Sequence, residues 1–225
     1  MKERDSIFES SVLTRVAFAE SALALHFGRF SAESPYRRYI DQAYRDLINS
    51  GDLGVPQSAE REGLRSVAGE VLHERVTLLA AGSVESTAEA FDWWHEATCR
   101  ALMHVYHEAG IAFTVGQAQM WVNLALKYLY VGMALEVESF GSIGTYYRCA
   151  HMPLLGGLSI HGASDVCDAP DCPAPVSCHD DYQEYLAIQM SIRQNWGSGL
   201  DAAWAARVSD PARDEPLMGG IPSPW

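Results

Sequence analysis

The sequence predicts an all-α protein, a helical bundle, and three observations indicate this class. Helix start and stop signals recur along the 225 residues, and no segment shows the period-two alternation of a half-buried strand. Residues 115–135 are apolar almost all round, which is typical of a helix at the centre of a bundle. The stretch 111–164 is also the least charged part of the chain, so we expect it to form the middle of the fold.

Local signals define seven helices. Two capping-box patterns, in which Ser or Thr precedes Glu or Gln by three residues, occur at Ser86 and Glu89 and at Thr114 and Gln117. Gly82 is a typical C-terminal stop. Counted with their caps, the predicted helices span residues 6–27, 34–51, 58–81, 86–110, 114–138, 180–196 and 199–208.

We expect a single helical domain over residues 1–209, followed by an extended tail at 210–225. Within the domain, residues 151–179 are rich in glycine, proline and cysteine. This composition predicts a long loop or lid, and a loop of that length in a compact domain is usually functional or disordered.

The composition excludes several classes of protein. Hydrophobic residues make up 48% of the chain and charged residues 20%, so the chain can bury a core. The net charge of −13 disfavours broad attachment to nucleic acid or to an anionic membrane, although it leaves room for one local basic patch. The sequence has no apolar run of about 20 residues and no secretory signal at its start, so we expect a cytoplasmic protein with no membrane partner.

A narrow polar stripe interrupts the apolar surface of the predicted helix at 114–138. It carries Gln119, Met120, Asn123, Lys127 and Tyr130. A buried amide or ammonium group is costly unless it finds partners, so this stripe faces either a structural hydrogen-bond network or a ligand pocket. In the second interpretation, Asn123, Lys127 and Tyr130 form the floor of the pocket.

Aromatic residues of the neighbouring helices and a histidine of the lid complete this predicted pocket. The candidate ligand-binding residues are Trp94, Gln119, Met120, Trp121, Asn123, Lys127, Tyr130 and His151.

The predicted helix at 86–110 carries two pairs of possible ligands. His95 and Cys99 flank its apolar face one turn apart, so they either share a ligand or lie at the edge of the core. His104 and His107 lie on the opposite side. Their spacing would allow a metal pair, but their position favours a solvated polar face.

Residues 110–118, with the sequence GIAFTVGQA, resemble the hairpin in helix-hairpin-helix DNA glycosylases. Over about residues 86–196 the chain resembles a group of bacterial proteins that are similar to archaeal-type 8-oxoguanine glycosylases. In that family a lysine of the helix after the hairpin attacks the sugar, and the aspartate of a later Pro-x-Asp motif stabilises the developing positive charge. The resemblance also implies that the damaged base is flipped out and stacked on aromatic rings.

The chain departs from the family at both catalytic positions. Met120 stands where the lysine would be, and Leu155 replaces the aspartate within the sequence HMPLL at 151–155. Neither a thioether nor an isobutyl group can attack the sugar or stabilise the developing positive charge. Lys127 lies on the same stripe but about 10 Å further along the helix axis. The resemblance therefore implies a member that has lost base-excision chemistry and acts by binding a nucleobase-like ligand, nucleic acid or a protein partner.

A cluster of cysteines and histidines in the predicted lid suggests an alternative, a metal-dependent enzyme. Zinc is usually held by four thiolate or imidazole ligands, but the spacings here are looser than in most structural zinc sites. A flexible loop with reduced thiols explains the same residues. In the metal interpretation Lys127 or His151 is the acid-base group, and zinc is the only cofactor that the sequence suggests. The candidate zinc ligands are Cys167, Cys172, Cys178 and His179.

Overall fold

A computed structural model describes residues 36–49, 59–134, 140–154 and 181–197. These residues form helices joined by turns and short irregular segments, and none of them lies in a strand, which confirms the all-α class. The predicted helices at 6–27 and 199–208, most of the lid at 151–179 and the tail at 210–225 lie outside the described residues. The helices are α1 (Arg37–Asn49), α2 (Ala59–Ala80), α3 (Ala88–Glu108), α4 (Val115–Ala134) and α5 (Tyr182–Trp196), with a 3₁₀ helix at Gly141–Tyr146 between α4 and α5.

One of the two predicted capping boxes forms. The backbone N–H of Thr114 donates to Oε1 of Gln117 (3.0 Å), and the N–H of Gln117 donates to Oγ1 of Thr114 (3.1 Å), which completes a capping box at the start of α4. The cap of α3 lies one residue later than the predicted Ser86, because the side chain of Thr87 accepts from the N–H of Ala90. After α2, Gly82 has a φ of 73°, the left-handed conformation typical of a helix stop.

Helix α4 is the centre of the described fold, as the sequence predicts. Its residues from Val115 to Gly132 are all buried. Helix α1 packs along one side, where Nε1 of Trp121 donates to the carbonyl of Ile40 (2.9 Å) and the indole ring lies 4.6 Å from the ring of Tyr44. Apolar as α4 is, no helix in the described ranges is long and apolar enough to span a membrane.

The 3₁₀ helix was not foreseen from the sequence. It closes the end of the core beside α4, where the hydroxyl of Tyr130 donates to the carbonyl of Ile143 (2.9 Å). The hydroxyl of Tyr146 donates to the carbonyl of Val84, which lies in the connection between α2 and α3. The 3₁₀ helix therefore ties the C-terminal half of α4 to the α2–α3 connection.

Two glycines with positive φ provide a test of this packing. Gly141 (φ 58°) begins the 3₁₀ helix, and a Cβ there would lie 2.4 Å from the carbonyl oxygen of Ala80. At Gly110 (φ 69°), no atom of the described residues beyond its two chain neighbours lies within 4 Å of the same position. We expect Gly110→Ala to lower the free energy of unfolding by about 1 kcal/mol through backbone strain alone. Gly141→Ala should lower it by about 3 kcal/mol, because a steric clash adds to the strain. Urea denaturation measures both, and equal losses would contradict the packing of Gly141 on Ala80.

Candidate functional site

Asn123 lies at the centre of a buried hydrogen-bond network between α3, α4 and α5. Its Nδ2 is 2.9 Å from Oε1 of Gln119, 2.9 Å from the hydroxyl of Tyr185 and 3.3 Å from the carbonyl of Met152. Its Oδ1 is 2.9 Å from Nε2 of His95. Gln119, Asn123 and His95 are completely buried. Because a buried amide needs such partners, the polar stripe of α4 forms a network that joins three helices and the segment after the 3₁₀ helix.

Backbone carbonyls fix the direction of these hydrogen bonds. Nε2 of Gln119 donates to the carbonyl of Leu154 (3.3 Å), so Oε1 of Gln119 is the acceptor for Nδ2 of Asn123. Oδ1 of Asn123 must then accept from His95, which places the imidazole proton on Nε2. Nδ1 of His95 is left as an acceptor, and the hydroxyl of Tyr182 lies 2.8 Å from it. The amide orientations thus determine the histidine tautomer.

A second branch of the network runs from Asn123 to an ion pair. Nε2 of His151 lies 2.8 Å from Oδ1 of Asp92, and because a carboxylate can only accept, the proton of His151 is on Nε2. Nδ1 of His151 then accepts from the hydroxyl of Tyr185 (2.7 Å), whose oxygen accepts from Nδ2 of Asn123. Arg193 pairs with the same carboxylate, with Nη1 at 3.1 Å from Oδ2, and its Nη2 contacts both Asp92 and His151. We call the connected set the histidine network; its members are Asp92, His95, Gln119, Asn123, His151, Tyr182, Tyr185 and Arg193.

The interior of the histidine network is neutral. Burial lowers the pKa of His151 to about 4, and burial together with the nearby His151 lowers the pKa of His95 well below its usual value. The two imidazole rings lie 4.4 Å apart, between their centroids. For Asp92, burial would raise the pKa, but hydrogen bonds from His151 and Arg193 outweigh it and lower the pKa overall. At neutral pH the network therefore carries a single ion pair, Asp92 with Arg193.

This ion pair lies where the network reaches the surface. The side chains of Asp92 and Arg193 are 16% and 13% exposed, whereas that of His151 is fully buried. Nε of Arg193 is buried and has no acceptor among the described residues. Trp93, the next residue of α3, is 73% exposed. We call Asp92, Trp93 and Arg193 the ion-pair edge.

The other candidates on α3 do not form a reactive or metal-binding group. Sγ of Cys99 lies 3.7 Å from Nδ1 of His95, but burial raises the pKa of the thiol, so it stays protonated and is a poor nucleophile. His104 and His107 are exposed, as expected for a solvated face. Within the described ranges, no group of three or more His, Cys, Asp or Glu residues could hold a metal ion.

The structure brings three of the eight predicted ligand-binding residues together, namely Gln119, Asn123 and His151, all within the histidine network. Met120 is fully buried in the hydrophobic core. Trp121 faces α1 and Tyr130 faces the 3₁₀ helix, as described above. A single pocket formed by all eight residues is therefore not what the described contacts indicate.

Trp94 and Lys127 are the other two predicted ligand-binding residues. Trp94 is 3% exposed and packs on Phe91, with ring centroids 5.5 Å apart. Its indole N–H has no acceptor within the part of the chain that the structure describes. Lys127 is 4% exposed, so it is buried as the polar-stripe interpretation requires. The candidate zinc ligands Cys167, Cys172, Cys178 and His179 lie outside the described residues.

Sequence reasoning missed the contribution of α5. Tyr182, Tyr185 and Gln189 lie on one face of this helix, at positions i, i+3 and i+7. Gln189 pairs with the backbone of Met152, since its Oε1 accepts from the N–H (2.8 Å) and its Nε2 donates to the carbonyl (2.9 Å). This stripe of large polar side chains is visible in the sequence and matches the amide stripe of α4. Asp92 offered no such signal, because it is one acidic residue at the flank of an apolar face.

Comparison with models of known protein families, with curated proteins and with solved structures finds no match. No activity can therefore be carried over from a relative, and functional inference rests on the geometry of the site.

The central role of Asn123 can be tested by substitution. Asn123→Ala leaves the N–H of His95, the Oε1 of Gln119 and the hydroxyl of Tyr185 short of a buried partner, so we expect a loss of roughly 3 kcal/mol in the free energy of unfolding. The matched control is Asn195→Ala on α5, which removes an exposed amide and should change this free energy by less than about 0.5 kcal/mol. Urea denaturation at pH 7 measures both variants. Similar small effects would show that the network contributes little to stability.

Proposed function

We propose that the protein binds a planar, nucleobase-like ligand at the ion-pair edge and does not excise bases. The observation that carries this proposal is the partly exposed pair of Asp92 and Arg193, with the exposed side chain of Trp93 next to Asp92 in the sequence of α3. The site thus differs from the pocket that the sequence suggested, although His151 is common to both.

The chemistry of the ion-pair edge suits a nucleobase. The Asp92 carboxylate accepts hydrogen bonds, and the Arg193 guanidinium donates them from a planar group. A nucleobase presents donors and acceptors along one edge, in the plane of its ring. The exposed face of Trp93 offers a stacking surface, and base–aromatic stacking contributes about 1–3 kcal/mol per base.

The histidine network would prepare this edge for binding. His151 is held between Tyr185 and Asp92 by hydrogen bonds of 2.7 and 2.8 Å, so it fixes the position of the carboxylate. A carboxylate that is already oriented loses less conformational entropy when it binds a ligand. The fully satisfied interior therefore supports a rigid binding edge at the surface.

Two features favour binding over base excision. The position at which the resemblance implies a nucleophilic lysine is occupied by Met120, a thioether that is fully buried in the core. Lys127, the nearest alternative amine on the stripe, is 4% exposed and therefore inaccessible to a sugar in this conformation. Neither residue offers the free amine that covalent catalysis requires.

The connection between α3 and α4 is poorly suited to a DNA backbone. Residues 101–126, which include it, contain no lysine or arginine. The backbone N–H groups of Thr114 and Gln117 already donate to each other's side chains, so they are not available to a phosphate. A small ligand is therefore favoured over duplex nucleic acid.

Binding can be tested with free nucleosides. We expect at least one of adenosine, guanosine, cytidine and uridine to quench tryptophan fluorescence and raise the Tm of the protein. Trp93→Ala should weaken that binding about tenfold through loss of stacking. Val67→Ala on α2, which removes part of another exposed apolar side chain, is the control and should bind like the wild type.

Two outcomes would contradict the binding proposal. One is that none of the four nucleosides changes the fluorescence or the Tm at millimolar concentration. The other is that the Trp93→Ala variant binds as tightly as the wild type.

The absence of excision chemistry has its own test. The protein is incubated with duplex oligonucleotides that contain 8-oxoguanine, in the presence of borohydride. Because Met120 supplies no amine, we expect neither strand cleavage nor a protein–DNA adduct. A trapped covalent adduct would show that another amine has taken over the reaction.

A further inference from the structure

We infer that the histidine network is a proton-sensitive latch, which holds α5 against α3 and α4 at neutral pH and releases it in mild acid while α1–α4 stay folded. This inference concerns the attachment of α5 and does not depend on the proposed ligand.

Helix α5 is held by both apolar and polar side chains. Ile192 is buried in the hydrophobic core, and Leu186 and Ile188 pack against it. The polar contacts join α5 to α3, to α4 and to the segment 151–154; they come from Tyr182, Tyr185, Gln189 and Arg193. The backbones of α1 and α3 approach α4 closely, whereas the described part of α5 has few close backbone approaches to any other helix. Side-chain contacts, these hydrogen bonds among them, therefore hold α5 in place.

The two hydroxyl groups on α5 bind to the histidine atoms that acid would protonate. Tyr182 and Tyr185 both donate to an Nδ1 atom, that of His95 and that of His151. A protonated Nδ1 is a donor and cannot accept these hydrogen bonds. Tyr182 has the carbonyl of Asp92 as another acceptor at 3.2 Å, but the described contacts offer none to Tyr185, which already accepts from Asn123. Protonation of His151 therefore leaves the buried hydroxyl hydrogen of Tyr185 on α5 without an acceptor among the described contacts.

Compensation for added positive charge on the two imidazoles comes mainly from Asp92, whose Oδ1 lies 2.8 Å from Nε2 of His151. Asp92 already pairs with Arg193, and Glu96 pairs with the exposed Arg100 (2.7 Å). Helix α4 presents neutral amides to the histidines. The titratable and charged groups around the pair are Asp92, Glu96 and Cys99 from α3, Cys149 from the segment after the 3₁₀ helix, and Tyr182, Tyr185 and Arg193 from α5.

The direction of the pH effect follows from the burial of the histidines. A histidine released into water has a pKa near its usual value of about 6.5, whereas docking lowers the pKa of His151 to about 4 and holds the pKa of His95 well below its usual value. The undocked state therefore binds more protons between these values. The contribution of both histidines to docking is complete above about pH 6.5 and is lost as the pH falls towards 4.

Hydrogen–deuterium exchange of the full chain tests the latch. After correction for intrinsic exchange rates, we expect amides of α5 to exchange at least tenfold faster at pH 5 than at pH 7. Amides in the middle of α4 should keep their protection at both values. Unchanged protection of α5, or simultaneous loss of protection in α4 and α5, would overturn the inference.

Substitutions identify the proton acceptor. His151→Gln removes a titrating group from the network and should reduce the acid effect on α5 at least threefold. His104→Gln removes an exposed histidine of α3 and should leave the effect unchanged. An unaltered acid effect in His151→Gln would overturn the assignment.

A measurement on the wild type keeps the test valid if the His151→Gln variant does not fold. NMR follows the ring protons of the histidines as the pH is lowered. We expect the buried pair to titrate over the pH range in which α5 loses protection. Titration of His95 and His151 near pH 6.5 with α5 still protected would overturn the latch.

Discussion

The structure depends on the cost of burying one amide in the middle of an apolar helix. Asn123 lies in α4, which is buried from Val115 to Gly132, and no water in bulk reaches its side chain. An amide buried there without hydrogen-bond partners would be costly. It would cancel a sizeable part of the free energy that one buried hydrophobic residue contributes to folding. The fold meets this constraint by bringing three other elements to Asn123, namely α3, the segment 151–154 and α5. Their arrangement around α4 is thus determined by hydrogen bonding as well as by packing.

The same constraint also determines where the charged groups of the network lie. Because the interior of the network is satisfied by neutral groups, its single ion pair can lie at the outer end, where solvent reduces the cost of desolvation. That end is also where Trp93 is exposed. The proposed binding edge and the proposed latch therefore share Asp92 and Arg193, and a ligand at the edge would act on the attachment of α5 as well.

The resemblance to glycosylases stays a prediction from the sequence of residues 110–118. Around these residues the structure shows local features such as the capping box of Thr114 and Gln117. Catalysis would depend on one amine and one carboxylate at defined positions. Met120 is a core residue here, so the space that a catalytic lysine would need is filled with apolar atoms.

Much of the fold could be predicted from the sequence, because its signals are local. Caps, stop signals and apolar periodicity predicted α2, α3, α4 and α5 within a few residues, and the apolar surface of α4 predicted its central position. The polar stripe predicted either a structural network or a ligand pocket around Gln119 and Asn123, and the structure shows that these two residues are joined in a network. The 3₁₀ helix at Gly141–Tyr146 was not predicted, because its hydrogen-bond partners lie on other elements.

The sequence by itself determined that a stripe of amides would be buried, because the helical period of 3.6 residues places them on one side of an apolar helix. Only the tertiary structure decided which groups satisfy them. Asp92 and Arg193 are 101 residues apart, and Asn123 and Tyr185 are 62 apart, so no local pattern links them. Hydrogen bonds require contact within about 3 Å, and such contact between distant residues is set by how whole helices pack.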